Sequence, residues 1–372
     1  MIYLDSAATS LQKPLTVPRA VSCAITHLSS PGRGGYGPAQ QAEEVIFSCR
    51  EECGTLLGEE NPENVIFTSS ATHSLNIAIK SLVQSGSTVL ISPWEHNAVT
   101  RPLHSMDNVS IRVANAPLFD QAATRAAFAR CLTPEVDVVI FTHVSNVFGY
   151  VLPVEDLAIL CRQRGVPFII DASQSAGSLP INQEELQASF IAMPGHKGLL
   201  GPQGTGVLLC HSKRIATLME GGTGSASRYK LMPKELPDRL EAGTANVCGI
   251  AGLRAGVRYL RQRGIVSIQS QEMKLSQYLG RSISDFATVF LAEDPTIQSG
   301  VLSFQMEGWD CQDLATTLGE RGFAVRAGLH CAPLAHQSAG TLEEGTVRAS
   351  VSPFTTKQEI DQFISCLSSL RK

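Results

Sequence analysis

The sequence predicts an α/β protein with a mostly parallel sheet and a second, smaller α+β region. Over the first two thirds of the 372 residues, short apolar runs alternate with amphipathic segments, which is the pattern of strands joined by crossover helices. The runs lie at 65–68, 88–92, 136–142, 166–171 and 190–193. A chain of this length also exceeds what one compact core usually contains, so we expect two domains.

The bulk composition is that of an ordinary globular protein. The formal net charge is −4 and 43% of the residues are hydrophobic, so no broad electrostatic attraction to nucleic acid or anionic lipid is expected. No apolar run reaches the ~20 residues that a membrane span needs, and the first residues lack the features of a signal peptide. We expect a cytoplasmic protein that binds neither nucleic acid nor membrane.

The ten cysteines contain no CxxC pair. Most of them fall on apolar faces of predicted elements, where we expect reduced, buried thiols. Cys49 and Cys53 are spaced i,i+4, but no further histidine or cysteine ligand lies nearby in the sequence, so no metal site is predicted.

The first elements are a short strand and turn in residues 1–14, a Gly- and Pro-rich loop at 29–38, and a helix from about 39 to 57. The strand at 65–68 is followed by a hydroxyl-rich turn and then another helix. This arrangement presents backbone N–H groups and hydroxyls to an anion, although a plain helix cap has the same sequence pattern. Given the residues described next, we predict that Ala71 and Thr72 bind a cofactor phosphate.

Lys197 lies between a buried strand and a run of glycines. The apolar residues 190–193 end at a Pro-Gly turn, His196 and Lys197 follow, and four glycines occur in the next nine residues. A lysine in such a crowded, dry place loses its proton easily and becomes an amine nucleophile, as Schiff-base chemistry with a carbonyl cofactor requires. The alternative is an exposed lysine on a glycine-rich turn.

Asp171 ends the apolar strand that begins at Val166. The carboxyl ends of parallel strands are where open α/β sheets bind ligands. Pyridoxal phosphate needs a lysine for its aldehyde and an acid that keeps its pyridine nitrogen protonated. Lys197 and Asp171 together therefore indicate pyridoxal 5'-phosphate.

Two further strands end in polar residues. The strand at 88–92 leads to His96, and the strand at 136–142 leads to Ser145 and Asn146. A lone histidine on a loop is often merely solvated, but its position after a buried strand favours a site residue. His96, Asn146 and Gln174 are therefore candidate site residues.

Residues 221–246 are polar and rich in Gly and Pro, as in a linker, and a long helix from Val247 to about Arg261 begins the crossover to the second domain. There the pattern predicts a mainly antiparallel α+β unit: helices at 264–283, 310–320 and 356–370, and strands at 287–291, 301–306, 323–328 and 346–351. We predict a large domain of residues 15–255 and a small domain of residues 1–14 and 256–372.

Cys331 follows a predicted strand and enters a loop. Its neighbours Arg326, Gly328 and His330 predict a mobile, electropositive setting in which a thiolate is favoured, and the alternative is a structural cysteine. Arg348 lies in the strand at 346–351, beyond a polar loop at 336–345 that we expect to be mobile. Its guanidinium could grip a carboxylate with two parallel bonds, although an exposed strand arginine would look the same.

From Tyr3-Leu-Asp-Ser-Ala-Ala-Thr to about Phe354, the chain resembles the class V aminotransferase group of pyridoxal-phosphate fold-type I enzymes, because Asp171 is followed by Gln174 and then by His196-Lys197. Within that group it is similar to the cysteine desulfurase and selenocysteine lyase family. The resemblance implies a large domain with a mostly parallel seven-stranded sheet flanked by helices, and a small α+β domain that carries the cysteine loop.

The cysteine motif, Arg326-x-Gly-x-His330-Cys331, resembles the short-loop class of desulfurases, which often relies on a partner protein to accept sulfur. Ala327 and Leu329 stand where that class commonly has Thr and His. These departures leave the substrate preference and the partner interface open.

The resemblance also implies roles for individual residues. His96 would stack on the pyridine ring and shuttle protons, and Asn146 and Gln174 would contact the ring oxygen. The Glu-Ala-Gly-Thr match at 241–244 implies contact with the phosphate of a partner subunit's cofactor, and therefore a homodimer with shared sites. The implied cofactor-binding residues are Ala71, Thr72, His96, Asn146, Asp171, Gln174, His196, Lys197, Gly243 and Thr244; the implied substrate-binding residues are Arg33, Asn146, Arg326 and Arg348.

The resemblance implies a pyridoxal-phosphate-dependent L-cysteine desulfurase that releases alanine and leaves a persulfide on Cys331 for transfer to an acceptor. Lys197, Cys331 and His96 would be its catalytic residues. A selenocysteine lyase, or another class V carbon–sulfur lyase or aminotransferase, would use the same machinery. A scaffold or sulfur-relay protein without catalysis is a third alternative, which the intact set of Lys197, Asp171, His96 and Arg348 disfavours.

Overall fold

The computed structural model describes residues 1–32 and 34–371. In this part of the chain the helices are α1 (Thr16–His27), α2 (Gly37–Leu57), α3 (Ala71–Leu82), α4 (Asn97–His104), α5 (Gln121–Cys131), α6 (Val154–Arg164), α7 (Gln183–Leu186), α8 (Val247–Arg263), α9 (Ile265–Ile283), α10 (Cys311–Glu320), α11 (Pro333–Ala339) and α12 (Lys357–Ser369). The strands are β1 (Ile2–Tyr3), β2 (Val65–Thr68), β3 (Thr88–Ile91), β4 (Ser110–Val113), β5 (Val138–Thr142), β6 (Phe168–Asp171), β7 (Phe190–Pro194), β8 (Gly206–Cys210), β9 (Ala287–Phe290), β10 (Val301–Met306), β11 (Phe323–Ala324), β12 (Arg326–Gly328) and β13 (Thr346–Ser350).

The main sheet has seven strands in the order β2-β8-β7-β6-β5-β3-β4. The pairs from β7 to β4 are all parallel, whereas β8 runs antiparallel to both β7 and β2. Crossover helices such as α4 and α6 return the chain for parallel pairing, but β7 and β8 are joined by a loop without a helix, which allows only an antiparallel return. The predicted mostly parallel seven-stranded sheet is confirmed.

The central strands are buried along their whole length, since every residue of β5, β6, β7 and β8 is buried. Alternate side chains of β5 point to opposite faces: Phe141 packs in a core with α2, α6 and α8, and Ile140 in a second core with α3 and α4. Helices on both faces explain why these strands read as continuous apolar runs in the sequence.

The C-terminal part contains a four-stranded antiparallel sheet in the order β12-β13-β10-β9, with its own core formed with α9, α10 and α12. The N-terminal strand β1 pairs in parallel with β11, where Ile2 lies opposite Phe323. The prediction of one strand over 323–328 is wrong, because the chain changes partners at Val325. The first half pairs with β1 and the second half with β13.

Two other local expectations differ from the structure. The segment 336–345, expected to be a loop, begins inside helix α11, whose first residue is Pro333; proline is favoured there because its fixed φ suits the first helical turn. Cys23 is exposed, whereas Cys49, Cys53, Cys161 and Cys210 are buried as expected. Among the described residues, no helix combines the length and the apolarity of a membrane span.

Candidate active site

Four of the predicted site residues follow strands of the main sheet at one edge. His96 follows β3, Asn146 follows β5, Asp171 is the last residue of β6, and Lys197 follows β7. Because these strands are parallel, their carboxyl ends meet at the same edge. The side chains are near enough that Asp171 and Lys197 both shift the pKa of His96.

Lys197 is partly buried. Burial, followed by the positive charge of Arg348, lowers the pKa of its amine to about 8, while Asp171 opposes this shift. The surrounding glycines allow the close packing: a Cβ added at Gly198 would lie 2.3 Å from the carbonyl oxygen of Ala176. The predicted nucleophilic amine therefore has a structural basis in burial and in a neighbouring guanidinium.

Asp171 is only 2% exposed. Its Oδ1 accepts hydrogen bonds from the backbone N–H, at 2.9 Å, and from the hydroxyl of Ser173. Oδ2 accepts no hydrogen bond from the described part of the chain. The carboxyl group is thus fixed in orientation and has one oxygen available for a ligand nitrogen.

His96 is the N-cap of α4, where its Nδ1 accepts the backbone N–H of Ala98 at 2.9 Å. An acceptor nitrogen carries no proton, so the hydrogen of the neutral ring lies on Nε2. Burial lowers the pKa of His96, with Asp171 as the largest opposing influence. The ring is therefore held as the neutral Nε2–H tautomer.

The N-terminus of α3 offers unpaired backbone donors. The hydroxyl of Ser70 accepts the N–H of His73 at 3.2 Å, whereas the N–H groups of Ala71 and Thr72 have no hydrogen-bond partner in the described residues, as is usual in a first helical turn. Ala71 is buried and Thr72 is exposed. This terminus can accept a phosphate.

A cavity of about 1040 Å³ opens beside this helix. Its lining includes Ser69, just before α3, and His73 in the first turn of α3, together with Gly243 and Thr244. Gly243 has a φ of 95°, which glycine adopts without strain. Sequence reasoning did not identify His73, although it lies in the same hydroxyl-rich turn. Arg33, expected near the substrate entrance, lies outside the described residues.

Asn146 is 8% exposed, and its Nδ2 donates to the carbonyl oxygen of His330 at 2.7 Å. Its Oδ1 is buried and has no hydrogen-bond partner in the described part of the chain. Gln174 is committed differently, since its Nε2 donates to the carbonyl oxygen of Ala7 at 2.9 Å. Asn146 therefore retains an unused polar atom at the site, whereas Gln174 helps to hold the N-terminal segment.

That N-terminal segment also supports His196. The imidazole Nδ1 lies 2.9 Å from the hydroxyl of Thr9, and the His196 carbonyl accepts the N–H of Ser10 at 3.0 Å. Burial lowers the pKa of His196 to about 4, so the ring is neutral. The sequence motif at residues 3–9 is thus a support for the residue beside Lys197.

Arg348 is almost fully buried, with 2% exposure. Its Nη1 donates to the carbonyl oxygen of Asn146 at 2.9 Å and its Nη2 to Oδ1 of Asp5 at 3.0 Å. The other oxygen of Asp5 accepts from Nε of Arg326 at 3.2 Å. Asp5 therefore bridges both arginines, which the sequence did not predict. Nε of Arg348 is buried, and none of the described residues accepts a hydrogen bond from it.

The loop of Cys331 differs in part from expectation. Cys331 is exposed, but His330 is buried, and this burial lowers the pKa of its imidazole to about 2. The prediction that His330 contributes positive charge is therefore wrong, because a buried imidazole stays neutral. The loop is also hydrogen-bonded, since the N–H of Asn97 donates to the carbonyl oxygen of Cys331 at 2.7 Å.

The available groups fit pyridoxal phosphate. Lys197 supplies an amine of lowered pKa for an aldehyde, Asp171 has a free carboxyl oxygen for a ring nitrogen, and the start of α3 has unpaired donors for a phosphate. The buried Oδ1 of Asn146 is a further polar atom, and it has no hydrogen-bond partner among residues 1–32 and 34–371. Such orphaned groups are expected where a ligand completes the site.

Comparison with known proteins identifies the family of the chain. Residues 2–363 match the family model described as aminotransferase class-V. A probable cysteine desulfurase of Xylella fastidiosa (strain 9a5c) is 32% identical over 100% of this chain and 91% of its own length. One from Methanothermobacter thermautotrophicus is 31% identical over 96% of this chain and 92% of its own. A solved apo structure of a cysteine desulfurase from Thermococcus onnurineus NA1 has a TM-score of 0.90 and 29% identity, covering 100% of this chain and 94% of that one. The chain belongs to the class V aminotransferase family.

Proposed function

We propose that this protein is a pyridoxal-phosphate-dependent L-cysteine desulfurase, which converts cysteine to alanine and leaves a persulfide on Cys331. The observation that carries the proposal is the position of the exposed thiol. The carbonyl oxygen of Cys331 accepts a hydrogen bond from the N–H of Asn97, the residue after His96. The carbonyl oxygen of His330 accepts one from Nδ2 of Asn146. The loop that carries the proposed nucleophile is thereby hydrogen-bonded to the same edge of the sheet at which Lys197 and Asp171 lie.

Lys197 would hold pyridoxal 5'-phosphate through the cofactor's aldehyde until the substrate amine displaces it, and the bound cofactor would supply an electron sink for the substrate's Cα. Asp171 would hold the proton of the ring nitrogen with its free Oδ2, and Ala71 and Thr72 would bind the phosphate with their N–H groups. We assign His196 and Gln174 a supporting role, because their polar atoms bond to residues 7–10.

The substrate's α-carboxylate would bind at Arg348, whose unpaired Nε is the donor left free by Asp5 and Asn146. Arg326 and Arg348 contribute two positive charges, and Asp5 contributes one negative charge. The three side chains together therefore suit a single carboxylate. Lys197, with a pKa of about 8, can take up the Cα proton near neutral pH.

In the sulfur step the thiolate of Cys331 attacks the substrate sulfur. A sulfur–sulfur bond forms, the carbon–sulfur bond breaks, and its electron pair remains with the substrate carbon. Protonation of that carbon gives alanine. We assign this proton transfer to His96, which would have to take up a proton before it donates one. The persulfide on Cys331 is then the sulfur carried to an acceptor.

Several finer assignments belong to the same proposal. Gly243 and Thr244 would complete the phosphate site of a second subunit, so the protein would be a homodimer with shared sites. The persulfide would pass to an acceptor protein in the cytoplasm. Residues 15–255 would form the large domain, and residues 1–14 with 256–372 the small one; the pairing of β1 with β11 supports this division.

Replacement of the thiol tests the proposal. Cys331→Ala should retain the bound cofactor and the exchange of the Cα proton with solvent, because Lys197 performs that step, yet alanine formation from cysteine should fall by roughly 100-fold or more. Alanine is measured by chromatography and the persulfide on the parent protein by mass spectrometry. Parental alanine formation by the variant would contradict the persulfide mechanism. If Cys331→Ala keeps activity on selenocysteine but loses it on cysteine, the release of selenium depends less on the thiol than the release of sulfur does.

A further inference from the structure

We infer that the backbone N–H of Asn97 is a positioning group for Cys331, which couples the placement of the sulfur to the helix that begins beside His96. The inference rests on the proposed role of Cys331 as the sulfur-accepting thiol. It assigns to α4 a second task, because the same helical turn that is capped by His96 also holds the cysteine loop.

The first contact is a short hydrogen bond at a helix N-terminus. Asn97 is the first residue of α4, and its N–H donates to the carbonyl oxygen of Cys331 at 2.7 Å. The first N–H groups of a helix have no acceptor within the helix. His96 satisfies the N–H of Ala98, and Cys331 satisfies the N–H of Asn97.

A second contact holds the preceding residue of the loop. Nδ2 of Asn146 donates to the carbonyl oxygen of His330 at 2.7 Å. Two consecutive carbonyl groups of the cysteine loop are therefore bound by residues that follow β3 and β5. Each donor is either a proposed cofactor-binding residue or the immediate neighbour of one.

The backbone of the loop explains why such contacts are needed. His330 has a φ of 48° and Cys331 a φ of 57°, and two consecutive side-chain-bearing residues rarely adopt this left-handed region. Such a conformation persists only where surrounding contacts hold it. Within the loop, the N–H of Ala332 donates to the carbonyl oxygen of Leu329 at 2.9 Å. The His330 ring lies 3.3 Å from the Thr346 hydroxyl, and the contacts to Asn97 and Asn146 hold the two carbonyl groups.

Loss of the Asn97 contact should therefore misplace the thiol without removing it. Attack on a sulfur atom requires the reacting atoms to be aligned, and displacements of about 1 Å can cost ~100-fold in rate. Binding of cysteine and removal of its Cα proton do not use the thiol. The predicted signature is a slower sulfur step with an unchanged earlier step.

Proline at position 97 removes the N–H with little disturbance of the helix. Proline is favoured at the first position of a helix, and the preceding residue, His96, already has φ −75° and ψ 156°, the extended conformation that a residue before proline requires. Asn97→Ala is the matched control. It loses the side chain, including the 3.3 Å contact of Oδ1 with the Thr100 hydroxyl, but it keeps the N–H.

The holoenzyme variants are compared in three measurements: kcat and KM for alanine formation, Cα-proton exchange, and hydrogen exchange of the peptide that contains Cys331. Relative to Asn97→Ala, we expect Asn97→Pro to lower kcat by roughly 10- to 100-fold. KM and Cα-proton exchange should stay within about twofold, and hydrogen exchange at the loop should rise. Equal kcat and equal loop exchange in the two variants would overturn the inference.

The outcome is distinguishable from failure of the proposed function. Parental activity of Cys331→Ala would reject the persulfide mechanism, whereas the hydrogen-exchange comparison reports on the Asn97 contact whichever residue accepts the sulfur. Should Asn97→Pro yield no folded holoenzyme, the α-hydroxy analogue of alanine at position 97 replaces only the N–H by an oxygen. The same result relative to Asn97→Ala is then required.

Discussion

The acidity of Lys197 is predicted to depend on Arg348. The pKa of this amine is lowered to about 8 by burial and next by the charge of Arg348. At pH 7.5, an amine of pKa about 8 is neutral in roughly a quarter of the molecules, whereas one of ordinary pKa is neutral in about 0.1%. The site therefore increases the reactive fraction roughly 200-fold.

Arg348→Gln removes the largest charge effect that lowers the pKa of Lys197 and leaves the opposing effect of Asp171 in place. The pKa should rise, although burial keeps it below the value of a free lysine. A rise of one unit would reduce the neutral fraction at pH 7.5 from about a quarter to ~3%. Arg326→Gln is the matched control, because Arg326 lowers the same pKa to a smaller extent.

The measurement is competitive acetylation of protein freed of its cofactor, over pH 6–11, followed by peptide mapping. The exposed Lys274 serves as the internal standard. The parental Lys197 should become reactive around pH 8, and the midpoint of Arg348→Gln should lie higher. An unchanged or lower midpoint in Arg348→Gln would refute the electrostatic reasoning. A larger rise of the midpoint in Arg326→Gln would show that the effect comes mainly from Arg326.

Two further predictions concern buried or bridging carboxyl groups. Burial raises the pKa of Glu95 to about 8, so between its unfolded value near 4.5 and pH 8 the folded state binds more protons and stability falls as the pH rises. Glu95→Gln should flatten the decline of Tm between pH 5 and 8, and an identical slope would contradict this. Asp5 pairs with both Arg326 and Arg348, so Asp5→Asn should leave excess positive charge and increase inhibition by dicarboxylates severalfold. Adding Arg326→Gln should reverse that gain, and no reversal would indicate a steric role for Asp5.

The sequence by itself determined the elements and most residues at the edge of the main sheet. Continuous apolar runs identify strands buried on both faces, and a polar residue directly after such a run lies at the strand's carboxyl end. This local rule locates Asp171 at the end of its strand and Lys197 shortly after the next one. His96 and Asn146 lie a few residues beyond their strands, and the family resemblance was needed to assign them to the site.

Only the tertiary structure decided what depends on contacts between distant segments. Asp5 pairs with Arg326 and Arg348, although more than 300 positions of the chain separate Asp5 from either arginine. No local sequence pattern indicates such a pairing. The neutrality of His330 follows from burial under other elements, and its sequence context of Arg326 and Cys331 indicated the opposite. The split of 323–328 into two strands and the bond from Asn97 to Cys331 have the same origin. Periodicity specifies which side chains are buried, whereas packing of the assembled chain selects their partners.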